Sequence, residues 1–331
     1  MRPVLTLVLG AALLATTPVR APAADTAEPL RQSVTRALAL LDKAQVRFER
    51  QATCSSCHNQ IDPMIAASVA RSRGVAVNDA VYRRQVAMTA EVVQLRRDYM
   101  LGHGVVAGAN VVVAAMLQGL SEVDFPADES TDTAVMYLLA KQAPSGEWPA
   151  VVVRAPHGKG GFNVTAKAVR SIDTYAPPAL RRQADASIAK ARAWLIATPA
   201  TASNDDLAYR LQGLVWAKAP RAEVAKATRQ LVAAQQADGG WAQAPGMASD
   251  AFATAGDLIV LHKAGVRPTD PVYRRGLEYL LRTQAADGSW HVKAHALPIQ
   301  PPIDSGFPYG RDQWISSWAT AYAVTAMSYA L

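Results

Sequence analysis

The densest chemistry in the chain lies at Cys54-Ser55-Ser56-Cys57-His58, which contains its only two cysteines. Two thiols separated by two residues and followed directly by an imidazole match the attachment pattern of c-type haem. In that pattern each thiol forms a thioether and the histidine ligates iron on the proximal side. Covalent haem c, with its iron on His58, is therefore the cofactor these residues predict. A second axial ligand would be a histidine or methionine from a neighbouring loop. His103 is the first choice, Met100 and His157 are weaker ones, Met64 is too close in sequence to cross the ring, and an open sixth position is the alternative. The same five residues also admit a Cys54-Cys57 disulfide in an oxidising compartment. A thioredoxin-like dithiol would need a βαβ context and a zinc knuckle a fourth ligand and usually a second pair, and neither pattern is present.

The start of the chain agrees with export. Met1-Arg2 precedes an apolar run from Val4 to Ala15, and Ala21-Pro22-Ala23 follows as a small-residue cleavage site. This is the layout of a secretory signal peptide, too short in its apolar part to span a bilayer. Residues 1–23 are thus expected to be removed, leaving 24–331 as one domain with the haem-attachment loop at 54–58, in a periplasm or otherwise exported. No later stretch reads as a membrane span. The formal charge of +7 includes Arg2 and Arg20, so the mature chain keeps 32 basic against 27 acidic residues. The basic pairs Arg83-Arg84, Arg96-Arg97, Arg181-Arg182 and Arg274-Arg275 are scattered along helical stretches, whereas a nucleic-acid groove would need them clustered. With 50% apolar and 18% charged residues, disorder is excluded.

The elements that must position these groups are repeated. Gly74 to Arg84 and Gly265 to Arg275 align without a gap, 191 residues apart, and share Val-Tyr-Arg-Arg in one frame. A second signature, Q-x-x-[DS]-G-x-W, occurs at Gln142 to Trp148, Gln235 to Trp241 and Gln284 to Trp290, and a degenerate copy without Gln or Trp falls at Pro199. The steps of 57, 36 and 49 residues fit two helices per unit. Six hairpins follow. Outer helices are expected near 31–47, 80–97, 130–142, 180–198, 222–236 and 271–284. Inner helices are expected near 62–73, 105–120, 162–175, 205–218, 250–264 and 313–330. Around Tyr273, Leu277, Leu280 and Leu281 fall on one face and Arg274, Arg275, Glu278 and Arg282 on the other, as an outer helix requires. Val105 to Leu117 and Ala251 to Leu261 are nearly charge-free and Ala-rich, as an inner helix requires. Asp62-Pro63 and Asp270-Pro271 read as an N-cap followed by proline at the first helical position.

The repeated Q-x-x-D-G-x-W strings, the paired helices and the closing string Asp304 to Trp314 resemble the repeats of the squalene-hopene cyclase and protein prenyltransferase superfamily. The resemblance covers most of residues 130–331 and extends to the N-terminal part through the Val-Tyr-Arg-Arg match. It implies an all-α, α/α toroid of about six helical hairpins, six inner helices around a cavity and six outer ones enclosing them. It also implies a bracing role for Gln142, Trp148, Gln235, Trp241, Gln284 and Trp290. The Asp-x-Asp-Asp acid of the cyclases is missing, since Asp205-Asp206 follows Asn204 and has no third carboxylate. The zinc ligands of the prenyl-transferring relatives are missing too.

Together these readings predict an exported c-type haem protein on a cyclase-like toroid, serving electron transfer with an unknown redox partner. Two alternatives stay beside it: a haem-dependent oxidoreductase acting on a small apolar ligand in the cavity, and a non-haem binding toroid with a Cys54-Cys57 disulfide. Asp304, Asp312 and Gln313 near the C-terminal loop read as structural rather than catalytic.

Overall fold

The structure is a computed structural model that describes residues 27–52, 56–102, 104, 108–150, 155–157, 161–297 and 303–331. The signal peptide, Cys54 and His103 lie outside the described residues. The described chain is helical, with α1 Ala27–Glu49, α2 Asp62–Ser72, α3 Asp79–Leu95, α4 Arg97–Leu101, α5 Ala109–Ser121, α6 Glu129–Lys141 and α7 Phe162–Tyr175. It continues with α8 Arg181–Ala197, α9 Asn204–Trp216, α10 Arg221–Ala233, α11 Ala251–Lys263, α12 Pro271–Thr283 and α13 Gln313–Ser328.

Helices α2, α5, α7, α9, α11 and α13 form an inner ring in which each packs on the next and α13 returns to α2. Around it stand α1, α3, α6, α8, α10 and α12, with α4 a short continuation of α3. This is the α/α toroid expected. The side-chain pattern explains the two layers. In α12, Tyr273, Leu277 and Leu280 are buried while Arg274, Arg275 and Arg282 are exposed. Each large apolar side chain removed from water in this way contributes about 1.5–3 kcal/mol. In α13, by contrast, Ile315 to Ala321 and Ala323 to Ser328 are buried on every side, so this helix has neighbours all round. One start signal is corrected. Asp62 has helical backbone angles, because a π-helical turn at Cys57–Ile61 runs straight into α2 and Ser56 caps it by accepting from Asn59 N at 3.0 Å. Asp62 is therefore inside a helix, and its carboxyl is free to face inward.

The three Q-x-x-[DS]-G-x-W copies are braces of one design. Trp148, Trp241 and Trp290 are buried and each indole N–H donates to the carbonyl ten residues back, that of Leu138 at 2.6 Å, Leu231 at 2.9 Å and Leu280 at 2.9 Å. Those carbonyls lie in the last turn of an outer helix, where intrahelical donors run out. Each Gln amide donates twice. One bond closes its own loop at Gly146, Gly239 or Gly288 O, and the other reaches the next outer helix at Ser187, Val272 or Ser33 O. The last of these ties α12 back to α1. Gly239 has φ +89° and a Cβ there would lie 2.6 Å from Arg275 O, so the loop passes too close for any other residue. In the degenerate copy, Arg210 of α9 takes over. It is buried and donates to the carbonyls of Leu195 at 2.9 Å, Thr198 at 3.1 Å and Ile196 at 3.3 Å.

Candidate active site in the toroid cavity

The inner ring encloses a cavity. Its wall is apolar and aromatic in the middle, with Ile65, Ala208, Tyr209, Trp216, Phe252, Val260, Tyr322 and Tyr329. Phe252 stacks on Tyr322 with centroids 5.4 Å apart, Trp318 meets Phe252 edge-on at 5.2 Å, and the hydroxyls of Tyr209 and Tyr322 are 3.2 Å apart.

Carboxyl groups enter this wall from three helices. Asp257 of α11 is 1% exposed, and Asn204 Nδ2 donates to both its oxygens at 3.0 Å. Burial pushes its carboxyl well above the usual carboxylate range; the Asn204 bonds work against that, and the carboxylates of Asp205 and Asp250 push it higher. Asp62 of α2 is likewise raised by burial, to about 6, with Lys167 opposing the rise. Asp205 of α9 faces His157, whose Nδ1 is 3.2 Å from Asp205 Oδ1 and 2.7 Å from Asn163 Nδ2. Lys167 of α7, 7% exposed, holds its ammonium 5.3 Å from the centre of the Tyr209 ring. At the far end, Glu122 accepts from Lys263 Nζ at 2.7 Å and from Arg170 Nε at 3.2 Å. Burial works against the Glu122 charge, and the two cations more than offset it, holding the carboxyl below its ordinary range.

The residues singled out in the sequence gather only in part. Cys57 is a free thiol in the π-helical turn, packed against the core, and burial pushes its pKa above the ordinary thiol value. The His58 ring lies 5.7 Å from Trp314 and 6.1 Å from Trp318, and the His157 ring is 5.2 Å from the same Trp318. His58 and His157 thus share one tryptophan. Met100 is buried in the hydrophobic packing of α4, which lies on α6 in the outer layer. Asp312 accepts from Ala294 N at 2.9 Å, Gln313 accepts from Ser305 N at 2.9 Å, and Asp304 pairs with Arg47, all loop-holding roles as expected. Sequence reasoning passed over Asp257 and Lys167. A lone carboxylate in Ala251 to Leu261, and a lone ammonium facing inward from α7, were signals available without coordinates.

No family model matches the chain. A drimenyl diphosphate synthase of Streptantibioticus cattleyicolor is 41% identical over 68 residues, which is 20% of this chain and 12% of that protein. The chain therefore matches only a small part of the curated relative. Solved structures resemble it over nearly its whole length. The type II terpene cyclase MstE from Scytonema, in complex with geranylgeranyl dihydroxybenzoate, superposes with a TM-score of 0.59 at 15% identity, covering 92% of this chain and 98% of that one. The fold is that of the type II terpene cyclases. A glycosidase in complex with glucose matches with a TM-score of 0.55 at 14% identity over 90% of this chain and 98% of its own, so the toroid also carries other chemistry.

The expectation of a haem electron-transfer protein, with a cytochrome-like site and a redox partner, is corrected here. The solved toroids with this architecture include terpene cyclases, and the titratable groups converge on an aromatic cavity. Among the described residues, no group of three or more His, Cys, Asp or Glu is arranged to hold a metal ion. Among the described residues no helix is long and apolar enough to cross a membrane.

Proposed function

We propose that the cavity binds a linear isoprenoid olefin and that Asp257 protonates it to start a cyclisation. The observation that carries this reading is a buried carboxyl, held at both oxygens by Asn204, on the wall of an aromatic-lined cavity. Burial raises its pKa and so favours the protonated form, and a carboxyl that keeps its proton has one to donate, as an ionised carboxylate has not. The proton passes from Asp257 to one carbon of a double bond, whose π pair becomes the new C–H bond and leaves a carbocation on the other carbon. Further double bonds of the same chain attack in turn and form C–C bonds. A proton is finally lost from the last cation and Asp257 is reprotonated, so the net reaction is an isomerisation. The faces of Phe252 and Tyr322 supply the negative quadrupole that a migrating cation needs. Glu122 engages both Lys263 and Arg170 at the far end, so these charges are held on one another there.

Incubation with farnesyl and geranylgeranyl substrates, followed by gas chromatography and mass spectrometry, tests the reading. Products isomeric with the substrate are expected, and Asp257→Asn should lower their rate by a factor on the order of 10²–10⁴ while the substrate still binds. Wild-type rates in Asp257→Asn, or no conversion of any linear isoprenoid, would overturn it.

Covalent haem at Cys54, Cys57 and His58 is a separate proposal about modification of the chain and carries no part of this chemistry. It rests on the residue types, and on the free Cys57 thiol standing next to His58, whose ring lies 6.1 Å from Trp318 of the inner ring. Haem there would be held by the two thiols and the His58 imidazole and would supply an iron centre. The intact mass of exported protein made beside a haem-attachment system decides it. A haem-sized increment, lost in Cys54→Ala/Cys57→Ala, supports the attachment; two thiols open to alkylation overturn it.

A further inference from the structure

The far end of the toroid is crossed by a strut. α5 and α11 stand on opposite sides of the inner ring, separated by α7 and α9 on one side and by α13 and α2 on the other. Glu122 directly follows α5, Lys263 is the last residue of α11, and their side chains meet at 2.7 Å across the opening. Arg170 of α7 joins the same carboxylate at 3.2 Å, and the Lys263 ammonium sits 5.0 Å from the Trp216 ring centre at the end of α9. Glu122 and Lys263 line the cavity, and their side chains are only 12% and 17% exposed. Four of the six inner helices are therefore tied at one level, at the end away from the loops that carry His58 and His157.

We propose that the Glu122 to Lys263 bridge is the floor of the cavity and sets the longest hydrocarbon chain it accepts. The inference rests on the reading of the cavity as an isoprenoid site, and names the residues that limit its substrate. Along α11, Asp257, Val260 and Lys263 all face the cavity, and the six residues from the acid to the floor rise about 9 Å. A chain whose reacting double bond lies at Asp257 must fit its remaining carbons within that depth. The floor resists penetration because an alkyl tail cannot replace either partner, and breaking the pair would leave a charge unpaired in a dry site.

The test is a ladder of linear prenyl alcohols, geraniol, farnesol and geranylgeraniol, titrated calorimetrically against the full chain. The wild type should show a chain length beyond which affinity falls about tenfold. In Glu122→Ala/Lys263→Met, which removes both charges together, that drop should move to a longer alcohol. Val260→Phe fills the space one turn above the strut without touching it, and should move the drop to a shorter alcohol. Thermal melting of each variant establishes that it is folded, and the two variants act in opposite directions so that loss of one leaves the other decisive. Folded variants with the wild-type cut-off, or a wild type without a cut-off, would overturn the floor while leaving the isoprenoid reading intact. A wild type that binds none of the alcohols would overturn that reading and the floor with it.

Discussion

At the scale of single residues, the decisive groups are carboxyls that burial keeps protonated. Asp62 shows the sign of the effect. Its folded value of about 6 lies above the ordinary 3.8, so between those values the folded protein holds a proton that the unfolded chain has released. Stability from this group is present at pH 4, falls as pH rises to 6, and is flat above, a loss of about 3 kcal/mol if the shift is fully expressed. Melting temperatures across that range should therefore fall less in Asp62→Asn than in the wild type; parallel profiles would place the proton elsewhere. Asp257 is raised by the same cause, and Asp257→Asn should raise the melting temperature near pH 7 even as it removes activity. The sequence displayed Asp257 openly, as the one charge in Ala251 to Leu261, but nothing in a linear string says that Asn204 lies beside it. That pairing joins residues 53 positions apart.

At the scale of elements, most of the architecture was legible. Expected inner helices at 162–175 and 313–330 are found as Phe162–Tyr175 and Gln313–Ser328, because an amphipathic or Ala-rich stripe states which side of a helix is covered. The π-helical turn ahead of α2 was not legible, because it leaves no period of its own and Asp62-Pro63 imitates a cap. The braces make a sharp expectation at this scale. Trp241→Ala removes a buried indole and its hydrogen bond to the Leu231 carbonyl, and should cost about 3–5 kcal/mol in urea unfolding. Gly239→Ala, whose Cβ would meet Arg275 O at 2.6 Å, should destabilise as well although it adds only a methyl. Arg210→Ala should behave like a Trp mutant, as the substitute brace of the degenerate unit; a shift under about 0.5 kcal/mol, the range of an ordinary surface change, would sink that equivalence.

At the scale of the whole molecule, the toroid is a ring made from an open chain, and its two ends must find each other. Gln284 Nε2 donates to Ser33 O at 3.1 Å, α1 packs on α13, and Ser33 Oγ reaches Met327 Sδ at 3.3 Å. Gln284→Ala should therefore speed amide exchange in the first turns of α1 more than in α6, a difference that mass spectrometry of peptic fragments would read. The first described helix begins six residues before Ser33 and the chain stops four after Met327, so the beginning of α1 and the last residue are neighbours in space. The order of the hairpins along the gene is then a matter of history more than of mechanics. A circular permutant that joins residue 27 to residue 331 through a short linker and opens the chain at the surface turn of Gly246 would preserve every inner-ring contact. It would also move the meeting of distant segments from the α13–α2 seam to the α9–α11 seam without removing it, and should fold at a rate close to that of the natural chain.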